Sequence, residues 1–577
     1  MRPKANPNLL AMGVVAALIV GAILSACAPA ATPAPALTTL PSEDTQPAQT
    51  TPQAATPAPT VAATSEPTSA GPTILRVATL GDIQGLDAAI LSTPRENIAV
   101  RLLGGDGMTW GRTTDPGTGL QYATAEFRPG ILESWERREE GGEVIYTMHI
   151  RKGCYFPSGR ELTAKDYVYM HQRVAALNAW VATLGGDVKG DLDTIIDDYT
   201  IETRVPNPNF LTDRWMIRHW RADYDSVLVE EHATAEDPWA QEWVRLNGGG
   251  GVGPYTLDHI TPGVEALFVR NEDYCAPDYM QGTYDQILLK IIPSAQQQAL
   301  LLKAGEIDMA PELPVKEVLD LVGEPGIEVL SFKSQNGLYF GFDNTLEPFN
   351  NIKVRHALAY AINYDDIIDG VFLGHATPPG GLIPVGTNGS TSKYWVYEYD
   401  PEKARDLLAE AGYPDGFEMD LYFDMSRAHH EDTAVLVKAA LEAVGVRVTL
   451  VQMDSAAFRE KIWAKEFPAL IEELLAHVND TAYTMDLLFT SGEGHGLCNF
   501  WKLSNDEMNQ IIFDSLQVVD PETRYPMYER AVEILDTELP AIMLVQPDYV
   551  VVMREGVEGF VKHYDEYPYY HLLYPAE

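Results

Sequence analysis

Leu338-Tyr-Phe-Gly-Phe-Asp-Asn344, followed by Lys353-Val-Arg-His-Ala-Leu-Ala-Tyr-Ala-Ile-Asn363, is the stretch from which the fold can be read. Its first part alternates large and small side chains as a strand does. Its second part sets Val354, Ala357, Leu358, Ala361 and Ile362 at helical spacing. A strand therefore hands over to an amphipathic helix, with Pro348 and the pair Asn350-Asn351 at the junction. The pattern predicts that the helix runs on through Ile367, Ile368 and Val371 to a stop at Gly374. By periodicity alone this is a sheet edge feeding a buried helix of an α/β protein.

Outward from it the same alternation continues. Ile74-Leu-Arg-Val-Ala-Thr79 reads as a first strand and Leu80 to Asp87 as the loop leaving it. Pro129 to Trp135, Val144 to Ile150 and Arg151 to Phe156 form a hairpin-like block, and Thr163 caps a helix with Asp166 three residues on. Tyr284 to Ile292, Gln296 to Ala304 and Ile307 to Ala310 read as strand, helix and strand, the connection that builds a sheet with helices on its faces. Further on come strands at Glu418 to Phe423 and Val446 to Met453, a helix at Thr433 to Val444, and helices at Ser504 to Val518 and Pro521 to Asp536. Strands at Ala541 to Val545 and Tyr549 to Met553 are both expected to return to the first domain.

The chain has 577 residues, 46% of them hydrophobic, enough for two or three domains with real cores. Its 41 basic and 83 acidic residues leave a net charge of −42, which repels phosphate backbones and anionic lipid and argues against nucleic-acid binding. Arg2 and Lys4 precede an apolar run from Leu9 to Leu24 that ends in Leu24-Ser25-Ala26-Cys27, the pattern of an export signal. Ala28 to Thr73 consists almost wholly of Ala, Pro, Thr, Ser and Gln, and such a segment cannot offset its ordering entropy, so it reads as a disordered tether. Of the four cysteines, Cys154, Cys275 and Cys498 show no metal or redox spacing. If Cys27 is taken by lipid at least one of these three stays unpaired, and Cys275 with Cys498 is a candidate bridge for an oxidising compartment.

Chemical motifs are sparse. Gly248, Gly250 and Gly253 satisfy G-x-G-x-x-G, but a helical pattern precedes them and a strand pair follows, the reverse of a dinucleotide site. His429-His430-Glu431 reads as a solvated polar turn, since adjacent histidines on an extended segment point opposite ways. Asp187, Asp191 and Asp193 lack calcium-loop spacing and read as surface. There is no G-x-S-x-G, no H-E-x-x-H and no P-loop, so no catalytic constellation, metal or cofactor is expected and the chain is read as a non-enzyme.

Lys303-Ala-Gly-Glu-Ile-Asp308, Tyr339-Phe-Gly-Phe-Asp-Asn344, Pro348-Phe349, Val354-Arg-His-Ala-Leu-Ala-Tyr-Ala-Ile-Asn363 and Asp400-Pro-Glu-Lys-Ala-Arg-Asp-Leu-Leu-Ala-Glu-Ala-Gly412 follow one another in a characteristic order. In that order they resemble the solute-binding proteins of bacterial ABC importers, the dipeptide and oligopeptide-binding family (family 5), from roughly Ile74 to Tyr574. The resemblance implies a two-lobed periplasmic-binding-protein-like α/β fold of class II type, cluster C, with an extra smaller domain. Domain I would comprise residues 74–104, 236–333 and 538–577, domain II residues 105–235, and domain III residues 334–537. It also implies a lipobox with an acylated Cys27 anchoring a monomer to the outer face of the cytoplasmic membrane, and an ABC permease as partner.

For the site, the resemblance implies backbone contacts to ligand loosely at Gly81 and Asp82, and Arg427 where an arginine clamps the carboxylate of a dipeptide. Counting back from Leu488-Phe489 puts His477 near the position of the family's ammonium-clamping aspartate and Asp480 at a neighbouring Asp-Pro position, without the tryptophan or proline found there. Either Asp480 clamps through a shifted loop or ammonium recognition has been given up. Trp110, Tyr483 and Trp501 flank cleft-forming segments and are candidates to stack on ligand. The expected solute is an oligopeptide or peptide-like molecule held by hinge closure. An oligosaccharide or chelated metal is the rival ligand, and a secreted lipoprotein enzyme or adhesin the rival class.

Overall fold

A computed structural model describes residues 71–90, 94–177, 192–206, 208–212, 221–427, 429–474, 478–492, 495–563 and 565–576. Cys27 with its export segment, the tether as far as Ala70, His477, Asp187 and Asp191 lie outside the described residues. Ile74–Thr79 stands at the centre of a seven-stranded sheet. The strand order is Tyr255–Thr261, Glu265–Arg270, Gln286–Ile291, Ile74–Thr79, Met309–Ala310, Tyr549–Arg554 and Ile327–Phe332. The first strand runs parallel to Gln286–Ile291 and Met309–Ala310, which requires a crossover between the latter two. Helix Ala295–Ala304 supplies it, capped by Ser294, whose hydroxyl accepts from Gln297 N at 3.2 Å, and closed by the left-handed Gly305.

The deciding stretch builds a second sheet. Gly337–Phe342 lies inside it, between Ala541–Pro547 and Ala469–Leu474, followed outward by Glu418–Asp424 and Arg447–Met453, with Ala376–Thr377 at the other edge. It is therefore a central strand rather than an edge, and all six of its residues are buried. Gly341 is required there, because a Cβ would stand 1.8 Å from the Trp501 ring. The helix that follows is Ile352–Ala361, not one long helix to Gly374. Ile362 turns extended, and Asn363 precedes a second helix, Tyr364–Gly370. Arg355 and His356 of the same motif serve the end of another helix, Pro521–Glu538. Arg355 Nε donates to Glu538 O at 2.9 Å and His356 Nε2 meets Thr537 O at 2.8 Å, pairing carbonyls that the helix itself cannot.

Ala541–Pro547 corrects the expected return of both late strands: it pairs with Gly337–Phe342 in the second sheet, and only Tyr549–Arg554 reaches the first. All seven residues of Ala541–Pro547 are buried, so only a sheet interior can take it. The chain thus passes between sheets at residues 333–336 and again at Asp548, and Lys333 Nζ joins the two passages by pairing with Asp548 at 2.9 Å.

A smaller four-stranded antiparallel sheet, Leu132–Glu140, Glu143–Ile150, Thr200–Val205 and Asp193–Asp197, packs with helix Ala164–Ala176. Here Cys154 is bonded to Cys275, and Cys498 is free. The candidate Cys275–Cys498 bridge is thereby corrected: Cys154 and Cys275 share one hydrophobic cluster, whereas Cys498 packs against the core of the second sheet.

Asp536, buried near the end of helix Pro521–Glu538, accepts from Leu382 N at 3.0 Å with one oxygen and has no partner for the other among the described residues. Burial pushes its carboxyl up to about 7. A folded value above the unfolded one favours the folded state at low pH, and that contribution is lost as pH rises from about 4 through 7. Asp536→Asn is therefore expected to gain stability relative to the parent between pH 5 and pH 8 in paired urea titrations; a pH-independent difference would refute this.

Candidate ligand-binding cleft

The ends of Glu418–Asp424 and Ala469–Leu474 in the second sheet carry Asp424, Arg427, His429, Glu472 and Glu473. Facing them are Glu96 of helix Pro94–Leu103 and the C-terminal segment with Lys562, Glu566 and Tyr567, which packs on the core of the first sheet. Asn336 Nδ2 donates to Glu566 Oε2 at 2.5 Å, and Lys562 Nζ pairs with Glu566 at 3.2 Å and reaches Gln335 Oε1 at 3.4 Å. Charges on the two walls influence each other. Burial pushes Glu566 up to about 7, against Lys562, with Glu473 of the opposite wall adding to the rise. Burial also lowers Arg459, as does Arg427, while Glu96 across the cleft opposes them.

Arg427 stands on this wall with its side chain 31% exposed. Burial lowers its pKa, but Glu472, Glu473 and Asp424 outweigh that and raise it. Its nearest carboxylate oxygen, Glu472 Oε1, is 3.8 Å from Nη2, beyond hydrogen-bond range. Among the described residues the guanidinium donates no hydrogen bond, so its fork of five donors is available to a ligand. The cost of the site falls on Glu472, whose carboxyl burial pushes up to about 7 despite Arg427.

The remaining sequence candidates are placed otherwise. Asp480 is 1% exposed and fully engaged: it caps helix Thr481–Leu488 through Ala482 N at 3.0 Å, pairs with Arg524 Nη2 at 2.9 Å and accepts from Tyr528 at 2.8 Å. It is a structural ion pair rather than a clamp. Trp501 is 0% exposed, laid over Gly341 and 6.0 Å from the Tyr339 ring, which makes it core rather than a stacking surface. Tyr483 is also buried, but it borders a recess shared with Gln335, Tyr339, Pro384 and Leu474, next to the passage at 333–336. Trp110 is half-buried against Phe127, ring centroids 5.0 Å apart, in the core of the smaller sheet. Asp82 accepts from Gly263 N at 2.7 Å and Ile83 N at 2.8 Å, tying its loop to a hairpin turn. Gly81 faces Arg95, which is paired with Glu312 at 2.9 Å.

The histidine pair is the largest departure from the sequence reading. His429 precedes helix His430–Ala443 and His430 opens it, so the segment is not extended and the two rings lie 5.6 Å apart. His430 is fully buried, not solvated, and burial together with His429 and Arg427 holds its pKa well below the usual imidazole range. His429 Nε2 meets Glu473 Oε2 at 3.0 Å, and burial of that carboxylate is outweighed by His429 and Arg427, which keep its pKa low. Glu472 and Glu473 were missed by sequence reading, although two adjacent acids closing the apolar strand Ala469–Leu474 are a signal of charges placed there for use.

Residues 126–496 match the family model of bacterial extracellular solute-binding proteins, family 5, over most of the chain. The chain belongs to that family. It is 25% identical over 465 residues to heme-binding protein A of Haemophilus influenzae, covering 77% of this chain and 83% of that one. It is 26% identical over 466 residues to the dipeptide-binding protein of Escherichia coli, covering 77% and 85%. The fold is that of the Helicobacter pylori periplasmic binding protein DppA in complex with peptide STSA, with a TM-score of 0.76, 22% identity and coverage of 87% and 98%. The two sheets are thus the lobes of a two-lobed solute-binding fold. Members of this family are extracellular solute-binding proteins. No helix among the described residues is long and apolar enough to cross a membrane.

Proposed function

We propose that this family 5 protein is a receptor for a peptide-like solute with an anionic end, held between its lobes with Arg427 as the carboxylate anchor. The observation that carries the reading is a guanidinium on the cleft wall whose donors are unmatched among the described residues while three carboxylates hold it in place. A bidentate, charge-assisted contact from such a fork suits a planar carboxylate. Asp480, engaged with Arg524, supplies no ammonium contact, so the positive end of a peptide would face Asp424, Glu472 or Glu473 instead.

Closure would turn on the passages at 333–336 and Asp548, with ligand bridging both lobes. Cys27, acylated, and the Ala- and Pro-rich segment behind it would tether the receptor within reach of an ABC permease. The domain limits inferred from sequence are kept in this reading, except that Ala541–Pro547 goes with domain III.

A thermal-shift panel of di- and tripeptides, oligosaccharides and metal chelates tests the class, since a ligand at a hundred times its dissociation constant stabilises by about 2.7 kcal/mol. For any peptide that binds, Arg427→Ala is expected to weaken affinity by at least about tenfold in calorimetry, more for the free carboxylate than for the C-terminal amide. Equal affinity of parent and variant would remove Arg427 from the site.

A further inference from the structure

His429 and His430, on the same wall, take no part in carboxylate recognition. His429, His430 and Glu473 bring one ligand atom each, two imidazole nitrogens and a carboxylate oxygen, to within 4.8 Å of one another. Two of the three come from the start of helix His430–Ala443 and the third from the end of the neighbouring strand Ala469–Leu474, so the fold and not the local sequence assembles them. Among the described residues neither ring nitrogen of His430 has a hydrogen-bond partner, although the residue is 0% exposed. Buried polar groups are nearly always paired, and an imidazole with both nitrogens unmatched sacrifices about 1–3 kcal/mol for each group left so. His429 and Glu473 are partly exposed, which leaves an approach from the cleft side.

We propose that His429, His430 and Glu473 bind a divalent transition-metal ion of the zinc class. Two neutral imidazoles and one carboxylate are a donor set that suits such an ion, and three protein ligands leave a further position open to water or a solute atom. At metal–ligand distances of about 2.0–2.2 Å the donors of a tetrahedral site stand roughly 3.3–3.6 Å apart, so side-chain rotations of about an ångström close the present spacing. Arg427, which depresses the His430 pKa, opposes a cation here, and the carboxylates Asp424, Glu472 and Glu473 that face Arg427 offset it. Glu431, next to the histidines in sequence, is exposed and takes no part.

The test uses the full chain without a polyhistidine tag, stripped of metal, and Zn2+ alone as probe in competition with a chromogenic chelator. One equivalent is expected to bind, and Co2+ in its place should give the visible absorption of a four-coordinate ion. His429→Ala and Glu473→Gln alter partly exposed side chains and are expected to keep the parent's unfolding midpoint to within a few degrees while weakening Zn2+ by at least about tenfold each. His430→Ala is expected to abolish the stoichiometric site, and its circular dichroism would show whether it folds. No saturable uptake by the parent, or parent-like affinity in both His429→Ala and Glu473→Gln, would overturn the proposal.

Discussion

Asp480→Ala is expected to destabilise the protein by about 3–5 kcal/mol, the cost of leaving one member of a buried ion pair without its partner. The carboxylate removed caps Thr481–Leu488 and meets both Arg524 and Tyr528. Arg524 would stay behind. Its guanidinium lies 3.9 Å over the Phe210 ring and donates to Val518 O and Val519 O at 2.7 Å each, so it cannot swing into water without breaking those contacts. Asp480→Asn, which keeps an acceptor for the cap and for Tyr528, should lose less. Urea unfolding at pH 7 measures both. A loss under about 1 kcal/mol for Asp480→Ala, the range of an exposed pair, would show that the pair is not buried as described. Solute affinity of the folded variant should equal the parent's, which separates this role from the clamp that the resemblance suggested.

The double variant Cys154→Ala/Cys275→Ala is expected to lose about 4–5 kcal/mol, because the bond closes a loop of 121 residues and chain entropy of the unfolded state rises with the logarithm of that length. The bridge fastens the smaller sheet to the segment that re-enters the first lobe, so reduction should loosen the attachment of that sheet first. Cys498→Ala, by contrast, should leave the midpoint almost unchanged under oxidising and reducing conditions alike. Burial pushes the Cys498 thiol up to about 12, so at neutral pH it holds almost no thiolate with which to enter a disulfide. Reductant-dependent melting of the parent, absent in the double variant, is the expected signature. A parent whose midpoint ignores reductant would contradict the assigned pairing.

The strand and helix that open the reading were legible because Gly337–Phe342 and Ile352–Ala361 carry local patterns that tertiary contacts reinforce. The break at Ile362 and Asn363 was not, since the apolar spacing runs through it and only the backbone shows the turn. Arg427 was legible as a candidate because a motif position marked it, whereas its unmatched donors are a property of its surroundings.

By itself the sequence determined the α/β class, the order of strands and helices, the family and the presence of an arginine at the mouth of Glu418–Asp424. The class and the element order follow from spacing along one chain, and the family from the resemblance of its motifs. Only the tertiary structure decided that Ala541–Pro547 joins the second lobe, that Cys154 takes Cys275, that Trp501 is covered and Asp480 engaged, and that His429 and His430 come together with Glu473. Each of those depends on which surface a residue meets across tens or hundreds of positions, and burial converts a side chain that could touch ligand into one that must be paired within the fold.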